Sequence, residues 1–221
     1  MRLSYKKTKH IPGGMPSEQV QEAFIKEIRS LVSKATASNG KIVVLSCDPT
    51  HPVHNSIPGY LWQEQGKENT QTLKANTGRR RITVVGAVNL SDRNAVAFVT
   101  ESNADRYLIE VFFMEVKKAY PNAKEIIIIL DNAAYQRNYE VQEYAKSLGI
   151  TLKYLPPYTP NLSLIERVWK FFKKEVLRDH YQETFEKFFE AVCAFFEKWD
   201  EYEEQLKSLL TLNFEIMKAR N

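Results

Sequence analysis

The sequence has little cysteine, no long hydrophobic run and no secretory leader. Only two of its 221 residues are cysteine, Cys47 and Cys193, too few for a disulfide framework or a zinc finger. Apolar runs such as Ile126–Leu130 are far shorter than the ~18 residues that a membrane-spanning helix needs. The basic N-terminus has no apolar segment behind it. These absences exclude membrane, secreted and zinc-finger proteins and predict a cytoplasmic chain with free thiols.

Several common enzyme motifs are also missing. The chain contains no GxGxxG, Walker A, GxSxG or HExxH pattern, which argues against dinucleotide-binding, NTPase, α/β-hydrolase and zinc-protease functions. Its composition, with 43% hydrophobic and 26% charged residues, is that of a folded globular protein. The length suits one domain with a sizeable core.

Positive charge is unevenly distributed along the chain. The net charge of +4 is weak evidence for nucleic-acid binding when taken alone. Residues 179–204, however, hold nine acids and two lysines, so the basic residues are concentrated before them. A basic cluster suits phosphate contacts, but a solvated charged surface explains it equally well. The candidate nucleic-acid contacts are Arg79, Arg80, Arg81, Lys170, Lys173 and Lys174.

Hydrophobic periodicity and turn residues divide the chain into a basic linker, residues 1–16, and one domain, residues 17–221. Strands are predicted at 41–47, 81–88, 95–100, 125–130 and 151–155, with a further short strand at 60–63. Helices are predicted at 17–37, 103–119, 138–148, 163–178, 184–199 and 203–217. Three leading strands followed by alternating strands and helices imply an α/β fold, with a mixed sheet covered by helices on both faces.

Three acidic residues occupy positions where α/β proteins place active sites. Asp48 follows the first predicted strand, Asp131 follows the most apolar strand, and Glu166 begins a helix behind a proline-rich loop. Active sites of open sheets gather at the carboxyl ends of strands, where adjacent carboxylates repel unless a cation lies between them. A single aspartate after a strand more often only caps a loop. The three together predict a site for hard divalent cations.

The residues around these acids form longer motifs. Leu130-Asp131-Asn132-Ala133 is followed by Glu166 in YLPPYTPNLSLIERVWKFFKK (Tyr154–Lys174), with 34 residues between Asp131 and Glu166. DPTHPVHN begins at Asp48, and GRRRITVVGAVN begins at Gly78. Over about residues 41–178 these motifs resemble the catalytic core of mariner-superfamily DDE transposases, in the branch found in bacterial insertion sequences.

This resemblance implies a ribonuclease-H-like fold, extended here by an N-terminal helix and C-terminal helices. It implies two Mg²⁺ or Mn²⁺ ions held by Asp48, Asp131 and Glu166. It also implies cleavage at transposon ends and joining of the 3′-OH ends to target DNA, usually at a TA dinucleotide, by a dimer on the DNA. Such a bacterial enzyme would act in the cytoplasm, at the nucleoid.

The chain departs from the family pattern in two places. Gln136 stands where many relatives have histidine, five residues after the second acid. The family normally carries helix-turn-helix domains upstream, whereas at most about 40 residues precede the first predicted strand here. We therefore expect that this DNA-recognition half is absent and is either supplied by a separate polypeptide or lost.

Other functions and roles remain open from the sequence. His51, His54 and Asn132 are accessory candidates beside the acids, although the two histidines more often would only order their loop. A truncated, non-autonomous transposase could bind DNA or a partner without transposing, but the intact acidic triad argues against decay. A host nuclease acting on RNA–DNA hybrids is disfavoured by the motif at Tyr154–Lys174. The apolar face of residues 185–199 is expected in the core, with a dimer contact as the alternative.

Overall fold

The computed structural model describes residues 13–218, so most of the predicted basic linker lies outside the described residues. The strands are β1 Ile42–Thr50, β2 Thr83–Asn89, β3 Ala95–Thr100, β4 Glu125–Leu130 and β5 Ile150–Tyr154. The α-helices of this part of the chain are α1 Glu18–Ala37, α2 Arg106–Ala119, α3 Tyr139–Ser147, α4 Ile165–Phe172, α5 Phe185–Glu197 and α6 Glu203–Leu209. One π-helical turn, Lys173–Leu177, continues α4.

The five strands form one mixed sheet in the order β3-β2-β1-β4-β5. Strands β1, β4 and β5 are parallel, whereas β2 is antiparallel to both of its neighbours. The carboxyl ends of β1, β4 and β5 therefore meet at one edge of the sheet. The predicted hairpin joins β2 to β3 through a turn in which Arg93 has a positive φ of 67°.

Alternating side chains of the sheet face two helical layers. Val44 packs toward α1 and Val84 toward α4 and α5 on one face, while Leu45 packs toward α2 and α3 on the other. Every residue of β4 after Glu125 is buried. A strand buried on both faces needs a continuous apolar sequence, as β4 has. The predicted mixed sheet with helices on both faces is thus confirmed.

Strand β1 is longer than predicted, and this changes the place of Asp48. The strand continues to Thr50 because its last residues pair with β2, with Asp48 opposite Gly86. Its parallel pairing with β4 stops at Ser46, opposite Ile129. Asp48 therefore lies inside β1 but beyond the point where β4 accompanies it.

The predicted strand at 60–63 is wrong. Residues 60–63 have no strand partner in the structure, and Tyr60 and Trp62 are fully exposed. A short run of aromatic and apolar residues forms a strand only where a neighbouring strand or a packed face receives it.

Two helix boundaries were also predicted wrongly. Helix α2 begins at Arg106 and not at 103, because the Asp105 side chain accepts the N–H of Leu108 at 2.9 Å. Asn103 instead accepts a hydrogen bond from Arg81. The last helix ends at Leu209 and not at 217, because the carbonyl groups of the following residues bond to distant side chains.

Candidate active site

Glycine in β2 brings α4 close to the sheet beside Asp48. Gly86 is the strand partner of Asp48, and a Cβ atom at Gly86 would come within 2.5 Å of the Trp169 ring. The start of α4 is tied to β1 as well, since the Ile165 N–H donates to Ser46 Oγ at 3.3 Å. These contacts fix the first turn of α4, which carries Glu166, against the carboxyl end of β1.

The three predicted acids line one cavity of about 440 Å³. Asp48 comes from β1, Asp131 from the residue after β4, and Glu166 from the first turn of α4. The other lining residues belong to the segment after β4 or the segment after β5. They are Asn132, Ala133, Leu155, Pro156, Pro157, Tyr158, Thr159, Pro160 and Ser163.

The acids in the cavity influence one another electrostatically. Burial, followed by the charges of Asp131 and Glu166, raises the pKa of Asp48 to about 8. The indole of Trp169 and the charge of Lys173 lower this pKa, but by less. Trp169 Nε1 is buried and makes no hydrogen bond of ordinary geometry within the described part of the chain, so its effect on Asp48 is only a weak attraction. The cavity therefore holds negative charge that nearby protein groups do not balance.

The donors in the cavity fit a hard divalent cation. Carboxylate oxygens are the ligands that Mg²⁺ and Mn²⁺ prefer. Within residues 13–218, no three His, Cys, Asp or Glu side chains converge into a ready metal cage. The carboxylates share the cavity as separate, mutually repelling charges. This arrangement suits an ion that keeps positions open for substrate oxygens better than it suits a closed structural site.

Hydrogen bonds position the residues that follow β4. The Ala133 N–H donates to Asp131 Oδ1 at 3.0 Å. Asn132 donates through Nδ2 to the Leu155 carbonyl at 2.6 Å and accepts a bond from Arg137 at Oδ1. Asn132 therefore joins the ends of β4 and β5, and both polar atoms of its amide group are already engaged.

The loop after β5 supplies cavity residues that sequence reasoning did not single out. Thr159 is buried and donates to the Pro156 carbonyl at 2.5 Å. Tyr158 has a positive φ of 57° and an exposed ring at the cavity rim. Their places within the Tyr154–Lys174 motif were the only sequence signal for them.

Gln136 and Tyr135 form a second group that the sequence did not identify as functional. Gln136 is completely buried, and its Oε1 has no hydrogen-bond partner among residues 13–218. Its Nε2 donates to the Tyr135 hydroxyl at 3.4 Å. Burial raises the pKa of Tyr135, and the charges of Asp48 and Asp131 add to this, so the hydroxyl lies within electrostatic reach of the acids.

The structure does not bring the two accessory histidines into the acid cavity. His54 Nε2 lies 2.8 Å from the Gln182 carbonyl, and its ring stacks on Phe188 at 5.4 Å between centroids. His51 Nδ1 lies 3.2 Å from Thr83 Oγ1. These contacts fit loop ordering, which the sequence analysis favoured.

The three arginines differ in their surroundings. Arg80 pairs with Glu101 at 3.0 Å, and its guanidinium lies 3.5 Å from the ring centroid of Phe185. Arg81 donates to Asn103 at 3.0 Å. Arg79 is exposed. Two of the three are thus already engaged with the protein.

The lysines of α4 and its π-helical turn lie closer to the acids. Lys170 is one turn after Glu166 and is exposed, as is Lys173. Lys174 pairs with Glu175 at 3.1 Å. Lys170 and Lys173 form no ion pair within residues 13–218, and the charge of Lys173 acts on Asp48.

A mixed five-stranded sheet between helical layers, with carboxylates at the carboxyl ends of two central strands, defines a ribonuclease-H-like domain with an acidic edge. The family described as DDE superfamily endonuclease matches residues 43–188, most of the chain and all three acids. The chain belongs to this DDE superfamily, and its fold is that of a transposase catalytic domain.

The chain is similar in sequence to an insertion-element protein and similar in fold to a transposase. The chain is 24% identical over 144 residues to the insertion element IS630 uncharacterized 39 kDa protein of Shigella sonnei, covering 61% of this chain and 41% of that protein. The Mos1 strand transfer complex has a similar fold, with a TM-score of 0.65 and 15% identity, over 95% of this chain and 64% of that one. The chain therefore spans less than two thirds of either protein.

A second Mos1 structure, the paired-end complex with Mg, gives a TM-score of 0.59 at 14% identity over 97% of this chain and 69% of that one. The resemblance to DDE transposases of the insertion-sequence branch and the ribonuclease-H-like fold are confirmed. None of the helices among the described residues is long and apolar enough to cross a bilayer.

Proposed function

We propose that the chain is the catalytic domain of a metal-dependent DNA transposase, which cleaves transposon ends and joins their 3′-OH groups to target DNA. The observation that carries this proposal is the shared cavity of Asp48, Asp131 and Glu166, in which burial and the charges of the other two acids raise the pKa of Asp48 to about 8. Membership of an endonuclease family and the insertion-element relative support it.

The same three carboxylates would hold two divalent ions, Mg²⁺ or Mn²⁺. Mos1 complexes of similar fold contain Mg or Mn. When bound, such ions activate water and stabilise both the attacking and the leaving oxygen of a phosphodiester. A cation also favours the ionised form of Asp48, which its surroundings otherwise disfavour.

Other groups of the chain would hold the carboxylates in place during this reaction. The Ala133 N–H orients Asp131, and the bond from Ile165 to Ser46 holds the first turn of α4, with Glu166, against β1. Pre-oriented acids lose less entropy when they bind ions and substrate.

The expected nucleic-acid partners are the transposon ends and a target site with a TA dinucleotide. Solved relatives of this fold include Mos1 paired-end and strand transfer complexes. We expect a homodimer on DNA, with end recognition supplied by a separate helix-turn-helix polypeptide. Lys170, Lys173 and Arg79 are the best placed phosphate contacts, because Arg80, Arg81 and Lys174 already have protein partners.

Cleavage and strand transfer by the full chain, with Mn²⁺ and DNA carrying the element's terminal repeats, test the proposal. Asp48→Asn, Asp131→Asn and Glu166→Gln should each lower the rate by about 10³-fold or more. Glu143→Gln, on the exposed side of α3, is the matched control and should keep the rate. Wild-type protein that binds these ends but never cuts them, with or without the upstream polypeptide, would point instead to a regulatory remnant.

A further inference from the structure

The chain after α6 has no regular secondary structure but is held firmly. We call residues 210–218 the C-terminal strap. Arg167 of α4 donates to the carbonyls of Leu209, Thr211 and Asn213 at 3.1, 2.8 and 2.6 Å. Hydrogen bonds from a guanidinium, which is charged, are among the stronger ones in proteins. The strap is therefore fastened to the residue that follows Glu166.

A buried glutamine fastens the other end of the strap. Gln21 of α1 is completely buried. Its Nε2 donates to the carbonyls of Pro16 and Met217, and its Oε1 accepts from the Met217 N–H and from Asn161 Nδ2, all at 2.9–3.2 Å. Asn161 also donates to the Glu215 carbonyl at 2.7 Å. The strap, α1 and the loop after β5 thus form one connected unit.

A groove of about 560 Å³ lies between α4 and the C-terminal strap. It shares three lining residues, Pro160, Ser163 and Glu166, with the acid cavity. The groove and the cavity are therefore continuous, with Glu166 at their junction. The remaining lining residues of the groove are Asn161, Arg167, Lys170, Asn213, Glu215 and Met217.

The two walls of this groove differ in character. The α4 wall carries the cations Arg167 and Lys170, and Lys170 is exposed without an ion pair among the described residues. The strap wall presents the exposed side chains of Asn213 and Glu215, and of these two Asn213 offers the neutral amide group. Free lysines and amide groups are typical ligands of phosphate and sugar oxygens. A groove of about 560 Å³ is too small to hold a duplex, so it suits one strand.

Building on the proposed function, we propose that this groove binds the sugar–phosphate backbone of one nucleic-acid strand and leads it past Glu166 into the acid cavity. Lys170 contacts a phosphate on one side, and Asn213 on the strap forms the facing wall. The strap therefore takes part in the substrate site, although residues 210–218 lie outside the region matched by the endonuclease family.

Charge substitutions at Asn213 test the groove directly. The affinity for a fluorescein-labelled single-stranded oligonucleotide is measured by anisotropy in the absence of divalent metal. Asn213→Glu should weaken binding roughly three- to tenfold, and Asn213→Lys should strengthen it by a similar factor. Asn122 is exposed between α2 and β4, at the opposite edge of the sheet, so Asn122→Glu and Asn122→Lys should change affinity less than about twofold. Misfolding cannot produce opposite effects of opposite charges at one site.

The salt dependence of Lys170→Ala gives a second readout. Loss of one phosphate contact should lower the slope of log K against log salt concentration by about 0.7 for a single strand. A wild-type slope for Lys170→Ala would contradict the proposal that the groove binds a strand. Affinity changes in the Asn213 variants no larger than those in the Asn122 variants would contradict it as well.

If wild type still cuts DNA in that case, the proposed function survives. If the Asn213 variants respond but wild type never cuts, the groove stands and the proposed function fails. Wild type that binds no oligonucleotide overturns the groove as well.

Discussion

Two segments that follow strands at the acidic edge differ sharply in their packing. The β1–β2 loop, residues 51–82, contains Tyr60 and Trp62 with fully exposed side chains. The β5–α4 loop, residues 155–164, buries Leu155, Thr159, Leu162, Ser163 and Leu164. Both begin close to the same carboxylates, yet only the second forms a wall of the cavity. We call the side formed by the β5–α4 loop the closed side of the acidic edge, and the side formed by the β1–β2 loop its open side.

The difference comes from what each loop can bond to. The β1–β2 loop is anchored mainly near its ends, where Asn76 Nδ2 donates to the Gln182 carbonyl at 2.8 Å and the Asn76 N–H donates to Asn55 Oδ1 at 3.0 Å. The β5–α4 loop is bonded to α1 through Gln21 and to β4 through Asn132. Local stability follows such contacts, so we expect the closed side to fix the site and the open side to move independently of it.

The largest expected effect concerns the negative charge in the cavity between these two loops. Because the pKa of Asp48 is raised from 3.8 to about 8, the folded state retains a proton that the unfolded state releases. Stability of the metal-free protein should therefore fall by a few kcal/mol as pH rises from about 4 to about 8. Asp48→Asn should remove most of this fall, as measured by urea unfolding at several pH values.

The same urea unfolding is then repeated in the presence of Mn²⁺. An ion that binds only the folded state should restore wild-type stability at pH 8 and leave Asp48→Asn nearly unchanged. The exposed substitution Asp200→Asn serves as the control and should keep the wild-type pH dependence. Equal pH dependence in wild type and Asp48→Asn would contradict the electrostatic description of the cavity.

The next largest expected effect is a loss of stability in Gln21→Leu. It leaves buried partners at Met217, Asn161 and Pro16 unsatisfied, which should cost about 2–4 kcal/mol. Gln19→Leu, on the exposed side of the same helix, should cost less than about 0.5 kcal/mol. Urea unfolding measures both, and similar losses in the two variants would show that the amide of Gln21 does not hold these segments together.

Gly86→Ala tests how closely α4 must approach the sheet. The added Cβ meets the Trp169 ring at 2.5 Å, so overpacking should cost about 1–3 kcal/mol and should weaken Mn²⁺ binding by shifting Glu166. Gly13→Ala is the matched control, because a Cβ atom at Gly13 has no neighbouring atom within 4 Å. Thermal unfolding with and without Mn²⁺ separates the two effects, and unchanged metal affinity would show that α4 tolerates the displacement.

The closed and open sides also differ in how well the sequence predicts them. The strand at Glu125–Leu130 was predicted with its observed limits, because burial on both faces leaves a continuous apolar run. The short apolar segment at 60–63 predicted a strand that does not form, since a local pattern does not reveal whether a partner strand is available. The last helix was overextended because Arg167, more than 40 residues away, binds the carbonyls beyond Leu209.

The candidate site also has a part that the sequence predicted and a part that it did not. Strand ends and motif spacing predicted Asp48, Asp131 and Glu166, and the structure places them in one cavity. The groove beside that cavity depends on Gln21 meeting Met217, 196 residues away. A contact at that separation leaves no periodic signal in the sequence, so only the folded chain reveals it.

The smallest expected effect lies on the open side. Tyr60→Ser with Trp62→Ser should change the free energy of unfolding by less than about 0.5 kcal/mol, because both side chains are already fully exposed. Phe188→Ser, whose side chain is buried against His54, is the positive control and should cost several times more. Urea unfolding compares the variants. A clear loss on changing Tyr60 and Trp62 would show that the β1–β2 loop packs against the domain in solution and that the two sides of the acidic edge are alike.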